Sequence, residues 1–128
     1  MDFLPIFLKL KGRPCLVVGG GKVAARKIQL LQRAGALVTV VSPRSCDEVL
    51  GYANAGSVTY VHRDFQDEDL EGMVLVIAAT GNKTVNRHVA ELADRQRIPV
   101  NVVDNPQSGS FIVPSMVDRS PVQVAVTT

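Results

Sequence analysis

The chain has 128 residues, enough for one domain with a real core but not for an enzyme of several subdomains. It is 46% hydrophobic and 20% charged with a formal net charge of +2, which excludes a disordered chain and leaves nucleic-acid binding without a basic tract to support it. Aromatic residues make up 5%, so the core must be aliphatic, and no apolar run reaches the roughly 18 residues that a bilayer-crossing helix needs.

A turn at Lys11–Pro14 leads into Cys15–Gly19, a short run of continuous apolarity that reads as a strand buried on both faces of an α/β sheet. Residues 22–35 predict an amphipathic helix with Ala24, Ile28 and Leu31 inward and Gly35 as its stop. Residues 36–41 predict a second strand, ended by Ser42 and Pro43. Residues 44–56 predict a helix in spite of Gly51, and residues 57–62 a third strand. The acidic stretch Asp64–Gly72 reads as a solvated connector. Residues 73–80 form the clearest strand of the chain. Residues 82–97 predict a helix capped by Asn82, with Val85, Val89, Leu92 and Ala93 as its apolar stripe. Residues 98–104 predict a fifth strand. Strands and helices thus alternate as in a Rossmann-like parallel sheet with helices on both faces. Beyond it, Phe111–Val113 and Val122–Val126 read as strands, broken at Pro114 and Pro121.

Gly19, Gly21 and Ala24 make a G-x-G-x-x-A pattern placed between a predicted strand and a predicted helix. Gly19 would permit the tight turn, Gly21 would let a pyrophosphate approach the backbone, and Ala24 would let helix and strand pack closely. The helix start would offer unpaired N–H groups, with Lys22 able to add charge. No GKS or GKT follows, which argues against a nucleoside-triphosphate loop. The second strand ends in Ser42 and Pro43 instead of the acid that commonly holds an adenosine ribose. Ser42 and backbone groups would have to replace it. Arg44 would favour a 2′-phosphate, but the reading preferred here is NAD. Thr80, at the end of the fourth strand, faces the same sheet edge and can bond a ribose or phosphate oxygen.

Asp104 follows the fifth strand at that edge. Partly buried beside the nicotinamide, such a carboxylate could take a proton as hydride leaves, or hold a metal ion; the plainer alternative is a turn residue before Asn105 and Pro106. Asn101 is a candidate to orient substrate. Arg119, in Asp118–Arg119, is a candidate for an acidic substrate or a partner chain, with a local ion pair as the plainer reading. His62 and His88 stand alone and receive no role, and no set of residues has fixed metal-ligand spacing. Cys15 reads as a small core residue and Cys46 as cover for a helix face. Met116 is expected in a core or an interface. The start of the chain is a poor signal peptide, and the expected location is cytoplasmic.

The stretches FLPIF, LVVGGGKVAARK, LVIAATGNKTVN, NVVDNP and SFIVPSMVDRSP, taken together and in order, resemble the N-terminal part of siroheme synthase. That part is a precorrin-2 dehydrogenase and sirohydrochlorin ferrochelatase. The resemblance implies NAD-dependent oxidation of precorrin-2 to sirohydrochlorin, followed by insertion of ferrous iron as a substrate. It implies that Asp104 serves as acid/base for both steps and that Lys22, Val23, Ser42 and Pro43 border the NAD site. It also implies a homodimer in the full-length protein. Residues 1–113 would be the NAD-binding domain and residues 114–128 the start of a dimerisation and substrate region, expected to continue in a longer protein. Two alternatives stand beside this reading: a non-catalytic NAD-binding regulatory module, and a dehydrogenase without chelatase activity.

Overall fold

A computed structural model describes residues 1–127. Residue 128, the last of the segment expected to open a dimerisation region, lies outside the described residues. Five parallel strands form the main sheet: β1 (Pro14–Val18), β2 (Leu37–Val41), β3 (Thr59–Val61), β4 (Leu75–Ala78) and β5 (Val100–Val102). Their spatial order is β3-β2-β1-β4-β5. Three helices connect them: α1 (Lys22–Arg33), α2 (Asp47–Asn54) and α3 (Lys83–Arg95). The Rossmann-like arrangement expected from the sequence is the one found.

The continuous apolarity of the strands has a direct cause. Successive side chains point to opposite faces, and both faces are covered. On β1, Cys15 and Val17 join Ala24, Ala25, Ile28 and Leu31 of α1 and Val49 of α2 in one core layer. Leu16 and Val18 join Val89, Ala90 and Ala93 of α3 in the other. On β4, Leu75 and Ile77 face the first layer, and Val76 and Ala78 the second. Burial pushes the Cys15 thiol up to about 11, so it packs as a neutral side chain. Asn82 caps α3 as expected, accepting hydrogen bonds from the N–H groups of Thr84 (2.9 Å) and Val85 (3.2 Å).

The chain departs from expectation in three places. The acidic connector is not simply solvated. Residues Asp67–Leu70 form a short 3-10 helix, and Leu70 is fully buried in the α3 layer. This segment carries the chain from β3 at one edge to β4 on the other side of β1. Arg63 holds it in place by two bonds to the Asp69 carboxylate, at 2.8 and 2.7 Å, and the N–H of Gln66 adds a third at 2.8 Å. Second, Phe111–Val113 is not a strand. The backbone of this stretch instead covers the free edge of β5. Ser110 N–H donates to the Val100 carbonyl (2.7 Å), and the Ser110 hydroxyl accepts from Val100 N–H (2.9 Å). Gly109 permits that approach, because a Cβ there would lie 2.6 Å from the Val100 carbonyl oxygen. Third, Ser115–Arg119 is a strand, β6, paired antiparallel with β7 (Val122–Val126). Both strands are exposed along their whole length, so Met116, expected in a core or an interface, is not in this chain's core.

The connector gives two testable consequences. Leu70→Ala should lower the unfolding free energy measured in urea by about 2–5 kcal/mol, as expected for a buried leucine whose site cannot fully collapse. The Arg63 side-chain bonds, helped by the Gln66 N–H, hold the Asp69 carboxyl below its ordinary range. A carboxylate lowered in the folded state stabilises above its unfolded value, about 3.9, and that contribution is lost as pH falls further. Stability of Asp69→Asn measured across acidic pH should therefore lack the part of the decline below about pH 4 that the native chain shows.

Candidate functional site

The carboxyl ends of β1, β2, β4 and β5 open onto one cleft of about 1240 Å³. It lies where the connection from β1 leaves on one face of the sheet and that from β4 on the other, the place where open α/β sheets take their ligands.

The glycine turn after β1 forms one wall, and its three glycines differ in their surroundings. Gly19 has φ +130°, and a Cβ there would meet the Ala79 carbonyl oxygen at 2.2 Å. Its bare backbone lets the end of β1 lie against the end of β4. A Cβ at Gly20 would meet the Arg44 carbonyl oxygen at 2.3 Å, and the Gly20 carbonyl accepts from Cys46 N–H at 2.7 Å. Gly20 thus docks the turn on the segment after β2. Gly21 differs: its φ is −84°, and a Cβ there would meet nothing within 4 Å. Nothing among the described residues requires glycine at that point. The bare surface faces open space at the start of α1.

Gly21 is the N-cap of α1 and offers no side chain to the helix, whose first turn contains no acidic residue. The N–H groups of Lys22, Val23 and Ala24 precede the first intrahelical bond, which runs from Ala25 N–H to the Gly21 carbonyl at 2.9 Å. Unpaired N–H groups at the positive end of a helix suit a phosphate. Gly19, Gly21, Lys22 and Val23 line the cleft, whereas Ala24 is buried beneath the turn in the core layer.

Ser42 and Pro43 line the cleft at the end of β2. The Ser42 hydroxyl donates to the Arg44 carbonyl and accepts from Arg44 N–H (3.3 Å). The serine therefore shapes its own turn and has one acceptor lone pair left for a ligand. His62, given no role above, bonds the Pro43 carbonyl (2.8 Å) and stacks on Tyr60, so it props this rim. His88 lines the cleft and pairs with Asp67 at 2.7 Å, tying α3 to the 3-10 helix.

Thr80 follows β4. Its hydroxyl lies 2.6 Å from Asn86 Oδ1 and 3.0 Å from the Asn82 carbonyl, and it accepts from Asn82 N–H at 3.1 Å. Across the sheet edge from it stands Asp104, which is exposed where partial burial was expected. The β5 ladder ends at Val102, and the chain turns outward there, with Asn105 N–H bonding the Val102 carbonyl. The carboxylate's one side-chain partner among the described residues is Asn86, whose Nδ2 is 3.4 Å from Asp104 Oδ1.

Two candidates do not reach the cleft. Asn101 points into the α1 layer and is 5% exposed; its amide donates to the Phe111 carbonyl at 3.3 Å, and its Oδ1 has no partner among the described residues. Arg119 lies on the exposed hairpin and bonds the Asp118 carbonyl, not its carboxylate, so the expected local ion pair is absent. Sequence reasoning missed Asn86. Its signal was a polar residue in register with Val89, Ala90 and Ala93, a position where α3 should carry an apolar side chain.

A family model described as "Putative NAD(P)-binding" matches residues 6–115. The siroheme synthase of Thioalkalivibrio sulfidiphilus is 55% identical over 128 residues, which is all of this chain and 26% of that protein. The siroheme synthase of Nitrosospira multiformis is 57% identical over 132 residues, all of this chain and 28% of that protein. The solved structure of SirC, precorrin-2 dehydrogenase, superposes with a TM-score of 0.86 at 28% identity, over 98% of this chain and 62% of that one. The chain thus spans about a quarter of the length of the curated relatives it matches. With the model spanning both the glycine turn and Asp104, the chain belongs to the NAD(P)-binding family and corresponds to the N-terminal region of siroheme synthases.

Proposed function

We propose that this chain is the dehydrogenase module of a siroheme synthase, binding NAD in the cleft and removing two hydrogens from precorrin-2. The observation that carries the reading is the position of Asp104. It is a carboxylate on the same cleft as a glycine turn whose Gly21 is bare toward open space. Gly21, Lys22 and Val23 would hold the pyrophosphate through backbone N–H groups, while Ala24 keeps the helix close to the sheet. Thr80 and Ser42 each keep an acceptor lone pair for a ribose hydroxyl, and Pro43 forms the adenosine-side rim. Bound NAD supplies a hydride acceptor. Asp104 takes the proton that must leave the macrocycle as the hydride departs, which balances the conversion of precorrin-2 and NAD to sirohydrochlorin, NADH and a proton.

The proposal extends to iron insertion. Ferrous iron is there a substrate, replacing two pyrrole N–H protons, and Asp104 is a base within reach of the same macrocycle. Residues 1–113 form the NAD-binding domain of this reading, and residues 114–128 begin the dimerisation region. The exposed valines of the hairpin, Val117, Val122, Val124 and Val126, support association with a second copy, since an isolated two-stranded ribbon with apolar side chains on its surface is a poor end state in water. Arg119 would then act on substrate only from the assembled dimer, while Asn101, buried in the α1 layer, has no path to it. Cys15 and Cys46 are both unpaired, which suits a reducing, cytoplasmic compartment. Among the described residues no helix is long and apolar enough to cross a membrane.

Two experiments test this function. Calorimetric titration with NAD should show Gly21→Ala folded as before but binding roughly tenfold more weakly; native affinity would remove the pyrophosphate from this turn. Absorbance of precorrin-2 under anaerobic conditions, followed after NAD addition with the full-length protein, should show conversion to sirohydrochlorin. Asp104→Ala should slow it by roughly 10²–10⁴-fold with NAD affinity retained. An unchanged tetrapyrrole spectrum with bound NAD would leave a regulatory module as the better account.

A further inference from the structure

Asn86 is 1% exposed, and its side-chain amide is fully used. Its Oδ1 accepts from Thr80 N–H at 3.1 Å and from the Thr80 hydroxyl at 2.6 Å. Its Nδ2 donates to the Thr80 carbonyl at 3.1 Å and to Asp104 Oδ1 at 3.4 Å. An asparagine amide offers two donors and an acceptor with two lone pairs, and here all four positions are taken. Only a side-chain amide supplies two donors and two acceptor positions together. A carboxylate would lose the donors, and an aliphatic side chain would leave the Thr80 N–H and carbonyl to find other partners.

The placement links two parts of the cleft that the sheet alone does not link. Thr80 follows β4 and stands with the glycine turn, because the Gly19 backbone packs against Ala79. Asp104 follows β5. The last ladder contact between these strands is Ala78 with Val102, so both residues lie two positions beyond the end of regular pairing. Past that point the remaining backbone link is Val103 N–H to the Ala78 carbonyl, at 3.2 Å. Asn86 sits in α3, whose start is fixed by the Asn82 cap and whose body is fixed by Val89, Ala90 and Ala93 in the core. It therefore reaches both strand ends from a rigid element.

We propose that Asn86 is a positioning residue that fastens the Asp104 carboxylate to the Thr80 turn, so that the proton acceptor and the cofactor wall keep one register. The role rests on the reading of Asp104 given above. With Oδ1 held by Asn86, Oδ2 of Asp104, which has no side-chain partner among the described residues, is left to accept a substrate proton. An exposed carboxylate otherwise turns freely about its side-chain torsions, and misplacement of a reacting group by an ångström is costly in rate.

The test has two arms. In ¹⁵N-labelled full-length protein, the Asn86 side-chain amide protons should exchange slowly with solvent, and their resonances should move on Asp104→Ala. This arm needs no activity and no folded Asn86 variant. Resonances that exchange like those of exposed asparagines, or that ignore Asp104→Ala, would overturn the proposal. In the kinetic arm, Asn86→Ala should lower kcat for precorrin-2 oxidation roughly tenfold, the loss expected for one hydrogen bond to a charged group. In the Asp104→Ala background it should cost less than roughly twofold further. Equal losses in both backgrounds would mean that Asn86 only supports the fold, and would also overturn the proposal. If the native protein binds NAD but leaves the tetrapyrrole unchanged, the reading of Asp104 fails and the positioning role fails with it. The resonance arm then still decides whether the Asn86–Asp104 link exists.

Discussion

The structure depends on how closely the ends of β1 and β4 approach each other. At Gly19 the backbone lies where any Cβ would overlap the Ala79 carbonyl, and the φ of +130° is one that L side chains rarely adopt. That contact lets the glycine turn and the Thr80 turn share one cleft. Gly20 adds the second constraint by admitting the segment after β2. Three strand ends are thus drawn together by two positions that cannot carry side chains, and α1 begins where they meet. The cost is a local surface without side-chain chemistry. Recognition there falls to backbone N–H groups, which suit phosphate oxygens and carry no preference between one nucleotide base and another.

This arrangement explains which features the sequence made legible. The α/β alternation, the glycine turn and the Asn82 cap all follow from local rules: apolar continuity, helical spacing and turn residues. Asp104 could be placed at the sheet edge by counting from β5. What remained hidden were contacts between distant positions. The Asp64–Gly72 stretch looks solvated because its six acidic or polar side chains outnumber Phe65 and Leu70, and periodicity gives no weight to isolated apolar residues. Phe111–Val113 has strand composition, but the β5 edge takes only single backbone bonds from the neighbouring residues 110 and 111, too few for a ladder. Asn101 and Asp104 lie on one short segment and were both candidates for the site, the first to orient substrate and the second as acid/base. The alternation of the strand sends Asn101 into the α1 layer, and the end of pairing frees Asp104.

The two asparagines show how burial separates structural from site polarity. Asn101 is buried with its Oδ1 unpartnered among the described residues, an arrangement that costs stability unless something answers it. Asn86 is buried and satisfied on every atom. A polar residue in an apolar stripe is tolerated when its neighbours are themselves short of partners, and the Thr80 turn is such a neighbour, since its N–H and carbonyl lie past the end of the β4 ladder. Asn86 thus closes the hydrogen-bond account of a turn that the sheet leaves open, and does so next to the carboxylate.

An exposed Asp104 also bears on how one carboxylate can serve a macrocycle. Burial by the chain's own residues would fix its environment before substrate arrives and would oppose its charge. On the proposed function, a carboxylate left at the rim would stay accessible to a wide, flat tetrapyrrole and would be dehydrated only when that ligand lay over it. The chain contributes the anchoring of the carboxylate through α3 and a cleft too open to exclude water by itself. The missing wall must come from the ligands or from a second surface. The exposed apolar side chains near both ends of the chain, Phe3, Leu4, Ile6 and Phe7 at the start and the hairpin valines at the end, are the surfaces with most to gain from such cover. Completing the site and burying those side chains are on this reasoning one event, and the chemistry at Asp104 would follow the assembly of its surroundings.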